Sequence, residues 1–239
     1  MKGIIGGTFF EDLDRFAKRF GLTRSAILMG GLTLLLRQLS GREDVTLATN
    51  ISGRNSKYFG ELDISGLIGC FANILFVRSR IEPGKPVMDH LRAVQAGFQE
   101  DLAFAAYPFG KLVEELPGER PSKDFIGSLV FYNYHNYSHF KETVYDIRGA
   151  DDKAGEDDEV PMQCHFGLTV VEFKNCLNLG LLFSPRIFDR EERVRVKEQY
   201  FSLLRQIIYH PQLLVRQLER AIEGENQAQV TNRLVAIDY

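Results

Sequence analysis

Apolar residues recur at Leu13, Phe16, Ala17 and Phe20, the spacing of one helix face, and Gly21 follows as a stop. Thr23 is placed to cap a second helix over residues 25–39. That segment is apolar on nearly every side until Arg37, which predicts a buried helix. Ser40-Gly41-Arg42-Glu43-Asp44 is a turn, residues 45–51 are rich in β-formers, and Ser52-Gly53-Arg54-Asn55 breaks that strand. Residues 68–77 carry few polar side chains, the pattern of a central strand covered on both faces. Pro83-Gly84-Lys85-Pro86 turns the chain into a helical spacing over residues 87–106, through Leu91, Val94, Phe98 and Leu102. Pro108 suits the first turn of a helix over 109–116. Residues 126–134 predict a strand, and 163–173 with 176–183 predict a strand pair joined by Lys174-Asn175. Asp189 is placed to cap a long helix over 190–209, ended by Pro211. Residues 151–159 are acidic without an apolar anchor and predict a loop tip. Strands alternate with helices, so the expected fold class is α/β, a two-layer sandwich with a mixed β-sheet and packed helices.

Composition narrows this picture. The chain has 239 residues, room for one large domain or two small ones. It carries 18 Phe among its apolar residues, and each fully buried large side chain contributes about 1.5–3 kcal/mol, so a real core is within reach. The net charge of −3 does not favour a nucleic-acid partner, which selects a basic face. No apolar run approaches the ~18 residues of a membrane span. The start, Met1-Lys2-Gly3-Ile4-Ile5-Gly6-Gly7, is too short and glycine-rich for a signal peptide. Cys70, Cys164 and Cys176 match no zinc spacing and sit among apolar residues, so they are expected as buried, reduced thiols in a cytoplasmic protein.

Two runs carry the most information. Ile68-Gly69-Cys70-Phe71-Ala72-Asn73-Ile74-Leu75-Phe76-Val77-Arg78 resembles the "IGxFxNxxxxR" signature of condensation domains of nonribosomal peptide synthetases. Phe104-Ala105-Ala106-Tyr107-Pro108-Phe109-Gly110 is similar to the "HQDYPFE" segment of the same family. Further matches follow in family order. Phe20-Gly21-Leu22-Thr23 resembles "gvT", Leu39–Val45 resembles "tGqeDv" and Gly53-Arg54 resembles "gR". Arg120 with Ser128-Leu129-Val130-Phe131 resembles the arginine-to-"PLF" stretch, and Phe166-Gly167-Leu168-Thr169 resembles "FDLT". Phe188-Asp189 with His210-Pro211 resembles "FD…dP", and Asn232 with Ile237-Asp238-Tyr239 resembles the linker toward an adenylation domain. Related epimerisation and heterocyclisation domains usually lack the asparagine, so Asn73 and Arg78 favour the condensation type. Departures stand at Phe104, Ala105, Ala106 and Gly110, which replace the polar members of "HQD…E", and at Gly167, which replaces an aspartate.

The resemblance implies a chloramphenicol-acetyltransferase-like half domain: the C-terminal lobe over residues 1–222, then a linker over 223–239. Met1 falls where a native start, a proteolytic cut or an artificial truncation would place it. The family's "HHxxxDG" motif is absent, since no two of His90, His135, His139, His165 and His210 are adjacent. The expected catalytic set within this chain is therefore empty. In the intact enzyme an N-terminal lobe would supply the histidines. Upstream and downstream carrier proteins would present two acyl groups, and an adenylation domain would follow. No metal or directly bound cofactor is implied; phosphopantetheine would arrive on the carriers. A segment that crosses to the other lobe is assigned to Tyr132–Phe166. The alternatives are a non-catalytic carrier-docking or scaffold module, half of a split acyltransferase, and an enzyme acting on coenzyme A thioesters.

Candidate residues follow from chemistry and resemblance together. An amide inside an apolar strand needs partners, because leaving it unpaired costs about 1–3 kcal/mol. Asn73 is thus expected either to bond a neighbouring loop or to face the tunnel between lobes. Phe71, Tyr107, Pro108, Phe109, Tyr132 and Asn133 are expected to line that tunnel, with Pro108 and Phe109 also fixing a helix start. Arg78 and Arg54 are expected as structural anchors or carrier contacts. His90 and His210 are expected at the surface.

Overall fold

The computed structural model describes residues 1–54, 66–115, 129–138 and 164–223. Within these residues a six-stranded mixed sheet has the order β1-β6-β5-β4-β2-β3. The strands are β1 (Lys2–Gly6), β2 (Asp44–Ile51), β3 (Asn73–Arg80), β4 (Val130–Asn136), β5 (Phe166–Glu172) and β6 (Cys176–Phe183). β4 runs parallel to both β2 and β5; the other pairings are antiparallel. The described helices are α1 (Gly7–Phe20), α2 (Arg24–Ser40), α3 (Val87–Asp101), α4 (Phe109–Glu115), α5 (Arg190–Tyr209) and α6 (Val215–Glu223). This is the α/β sandwich with a mixed sheet that the alternation of elements predicts.

The helix signals act as expected. Gly21 closes α1 at φ 65°, a conformation that costs glycine little. The Thr23 hydroxyl accepts from the Ala26 N–H and caps α2. Asp189 and Glu192 form a reciprocal capping box at α5. α2 is buried along most of its length, between α3 and α5. A Cβ on Gly30 would lie 2.5 Å from Leu91, and one on Gly31 would lie 2.9 Å from Leu204. The two glycines therefore let both neighbours approach the α2 backbone. Tyr200 of α5 seals the contact by donating to the Leu28 carbonyl at 2.9 Å. The core under these helices is built by Ile5, Leu47, Val77, Val130, Tyr132, Phe166, Leu168, Leu179 and Leu181 from all six strands.

Several expectations are corrected. β1 and α6 are additional elements: Ile5 is buried in a short glycine-rich strand, and Val215 and Leu218 are buried at helical spacing. The strand expected over 68–77 begins at Asn73 and continues to Arg80. Among the described strands it lies at the sheet's outer edge, not its centre, paired with β2 from Asn73 to Arg80. Cys70 is exposed, since residues 66–70 run outside the ladder. The stretch Tyr132–Asn136 is not a crossing segment: it is strand β4, held between β2 and β5. Residues 139–163, with His139 and the acidic stretch 151–159, lie outside the described residues, as do Arg120 and residues 224–239 of the linker expected over 223–239; Glu223 itself ends α6.

Candidate functional site

The two signature runs meet in space. The Asn73 amide nitrogen donates to the carbonyls of Ala105 (3.0 Å) and Tyr107 (2.7 Å). Its oxygen accepts from the Phe109 N–H at 3.0 Å. One side chain therefore satisfies three backbone groups of the turn into α4, and its own donors and acceptor find partners. Of the two roles expected for Asn73, this is the bond to a neighbouring loop. Phe109 adds a ring contact with Phe76 (centroids 5.7 Å), on the face of β3 opposite the buried Leu75 and Val77. Pro108 and Tyr107 are exposed beside it, and the Tyr107 hydroxyl donates to Glu115 at the end of α4. Pro108 and Phe109 thus open the helix as expected.

A second knot forms at the other end of the 66–72 loop. Arg54 donates to the carbonyls of Leu67 (2.9 Å) and Gly69 (2.8 Å), with its guanidinium 4.6 Å from the centre of the Phe71 ring. Gly53 sits at φ 63°, and a Cβ there would stand 1.8 Å from the Phe71 carbonyl oxygen. Only glycine permits that approach. Phe71 is half-buried under Arg54. Arg78 makes a two-pronged contact with Asp44, Nε to Oδ1 at 2.9 Å and Nη2 to Oδ2 at 2.5 Å. It anchors the outer strand to its neighbour, and the same bond holds the Asp44 carboxyl below its ordinary range.

Tyr132 and Asn133 part company, as neighbours on a strand must. Tyr132 is fully buried against α2, where its hydroxyl donates to the Ser25 carbonyl at 2.9 Å. It is a core residue rather than a wall residue, and burial pushes its phenol well up. Asn133 stands on the opposite face, half-exposed, accepting from the Asn50 side-chain amide at 3.1 Å. His90 is buried rather than exposed, 2.8 Å from the Thr33 hydroxyl, and burial lowers its pKa to about 4. His135 and His210 are exposed, and His165 is half-buried beside β5.

A charged cluster that no motif marks lies beside β5. Glu172, buried at the end of β5, accepts from the Tyr134 hydroxyl and pairs with Arg24 at 3.2 Å. Arg24 also donates to Asp14 at 3.0 Å and lies over the Phe10 ring. A buried carboxylate needs this compensation. The one signal was a carboxylate at a position where the β5 alternation demands an inward side chain. Among the described residues no three histidine, cysteine, aspartate or glutamate side chains gather as a metal set. No described helix is long and apolar enough to cross a membrane.

The sheet order and the packed helices define a two-layer α/β sandwich, with the two signature runs joined at its β3 side. The Condensation domain family matches residues 4–230, and the chain belongs to that family. Bacitracin synthase 1 of Bacillus licheniformis is 29% identical over 216 residues, covering 90% of this chain and 4% of that protein. Tyrocidine synthase 3 of Brevibacillus parabrevis is 26% identical, covering 96% of this chain and 3% of that protein. The first condensation domain of the calcium-dependent antibiotic synthetase, in complex with a substrate analogue, superposes with a TM-score of 0.65 at 16% identity. That match covers 90% of this chain and 46% of the other. A four-domain nonribosomal peptide synthetase bound to AMP and glycine gives a TM-score of 0.71 at 15% identity, over 91% of this chain and 17% of that one. The chain thus spans about half of that solved condensation domain and a few per cent of these synthetases.

Proposed function

We propose that this chain is the C-terminal lobe of a condensation domain in a nonribosomal peptide synthetase. It would act with an N-terminal lobe that supplies the "HHxxxDG" histidines. The intact pair joins an upstream carrier-bound acyl thioester to the amine of a downstream carrier-bound aminoacyl group. The amine attacks the thioester carbonyl, the amide forms, and the upstream phosphopantetheine thiol leaves with a proton. This lobe contributes a wall of the tunnel, braced through Asn73 and Arg54. Phosphopantetheine is brought by the carriers, an adenylation domain follows, and the reaction takes place in the cytoplasm.

The observation that supports this reading is the alignment of nearly the whole chain with about half of a solved condensation domain. The chain has no adjacent histidine pair. By itself it is therefore inactive. The test mixes two loaded carrier proteins with this chain, with an "HHxxxDG" lobe, and with both. Dipeptide is expected only from the complete mixture. Dipeptide from this chain alone would remove the half-enzyme reading, and its absence from every mixture would favour a docking module.

A further inference from the structure

The 66–72 loop has little core of its own. Leu67, Ile68 and Cys70 are exposed, Ile68 completely so. A segment with few buried apolar contacts opens readily unless something else holds it. Here the holding group is the Arg54 guanidinium. It binds alternate positions of one loop, two carbonyls and one ring, at 2.9, 2.8 and 4.6 Å. The planar fork suits two divergent carbonyls and a ring face at once, which a lysine ammonium does not. Gly53 brings the arginine close enough, and the three bonds of Asn73 fix the loop's far end. Between these two knots the loop leaves the β ladder and holds an irregular shape.

We propose that Arg54 is a positioning residue for the condensation reaction, presetting the Leu67–Phe71 loop in its working shape. It touches no reacting atom and acts through the loop. The activity arm of the test rests on the function proposed above; the spectroscopic arm does not.

Cys70 lies inside the loop and is exposed, whereas Cys164 is buried, so a nitroxide on Cys70 in a Cys176→Ala background reports the loop alone. With Arg54 intact the electron paramagnetic resonance line should be broad. In Arg54→Gln it should sharpen, with Arg54→Lys in between and the melting temperature little changed. Phe71→Leu, which removes the ring under the guanidinium, should sharpen it too and serves if Arg54→Gln fails to fold. An unchanged line in the variants would overturn the proposal. In a domain assembled from this chain and an "HHxxxDG" lobe, Arg54→Gln should lower kcat by about ten- to a hundredfold, the scale of a small misplacement, with carrier KM nearly constant. Partial recovery in Arg54→Lys is expected. A loosened loop with unchanged kcat would reduce Arg54 to a structural group. No amide from the wild-type assembly would overturn the function, and the resonance line would still decide whether Arg54 holds the loop.

Discussion

Asn73 and His90 show how much one polar side chain settles. Replacing Asn73 by alanine strands the Phe109 N–H and two carbonyls, so a loss of about 1–3 kcal/mol is expected in urea unfolding. Hydrogen exchange should quicken first at the start of α4. His90 gives a pH signature. Burial lowers its folded pKa from 6.5 to about 4, so the folded protein keeps it neutral while the unfolded chain takes up a proton. Stability therefore falls as pH drops from about 6.5 to about 4, by up to about 3 kcal/mol, and this contribution is flat below. Unfolding measured across that window should show the slope, and His90→Gln should flatten it. The sequence marked Asn73 because an amide in an apolar run needs partners. It could not mark His90, whose ring partner, Thr33, stands on another helix.

Elements were legible where their signals were local. α1, α2 and α5 end and begin where Gly21, Thr23 and Asp189 place them. Asp189→Ala should cost about 0.5–2 kcal/mol, seen as a lower urea midpoint at constant slope, because it removes the capping box. Elements were illegible where a neighbour made them. Glycine-rich residues 2–6 have poor strand propensity, yet they pair along β6 in full register and bury Ile5. The reverse occurs at residues 68–72, whose apolar run suggests a strand. Among the described residues the β2 register ends at Ile51 opposite Asn73, and Arg54 takes two of the loop's carbonyls.

At the scale of the molecule, the strand order sets the stability order. Among the described strands β4 has a neighbour on both sides, whereas β1 and β3 each have one. Amides of Val130–Asn136 should therefore exchange more slowly than those at the outer edges of β1 and β3, as mass spectrometry of exchanged peptides would show. Fast exchange throughout β4 would contradict the sheet order. α2 is the central helix of the packed layer, with Gly30 and Gly31 admitting α3 and α5 to its backbone. The joined signatures stand at the opposite, β3 end of the sheet, where α4 covers Phe76.

The sequence alone determined the α/β class, most helix boundaries and the family, because caps, periodicity and ordered motifs are written in neighbouring residues. It also singled out Asn73, Arg54 and Arg78. The tertiary structure decided what each does. Asn73 binds a turn 32 to 36 residues away, Arg54 folds a loop 13 to 15 residues on, and Tyr132 turns into the core while Asn133 turns out. Such roles depend on which distant backbone groups lack partners, and that is settled only when the sheet has chosen its order.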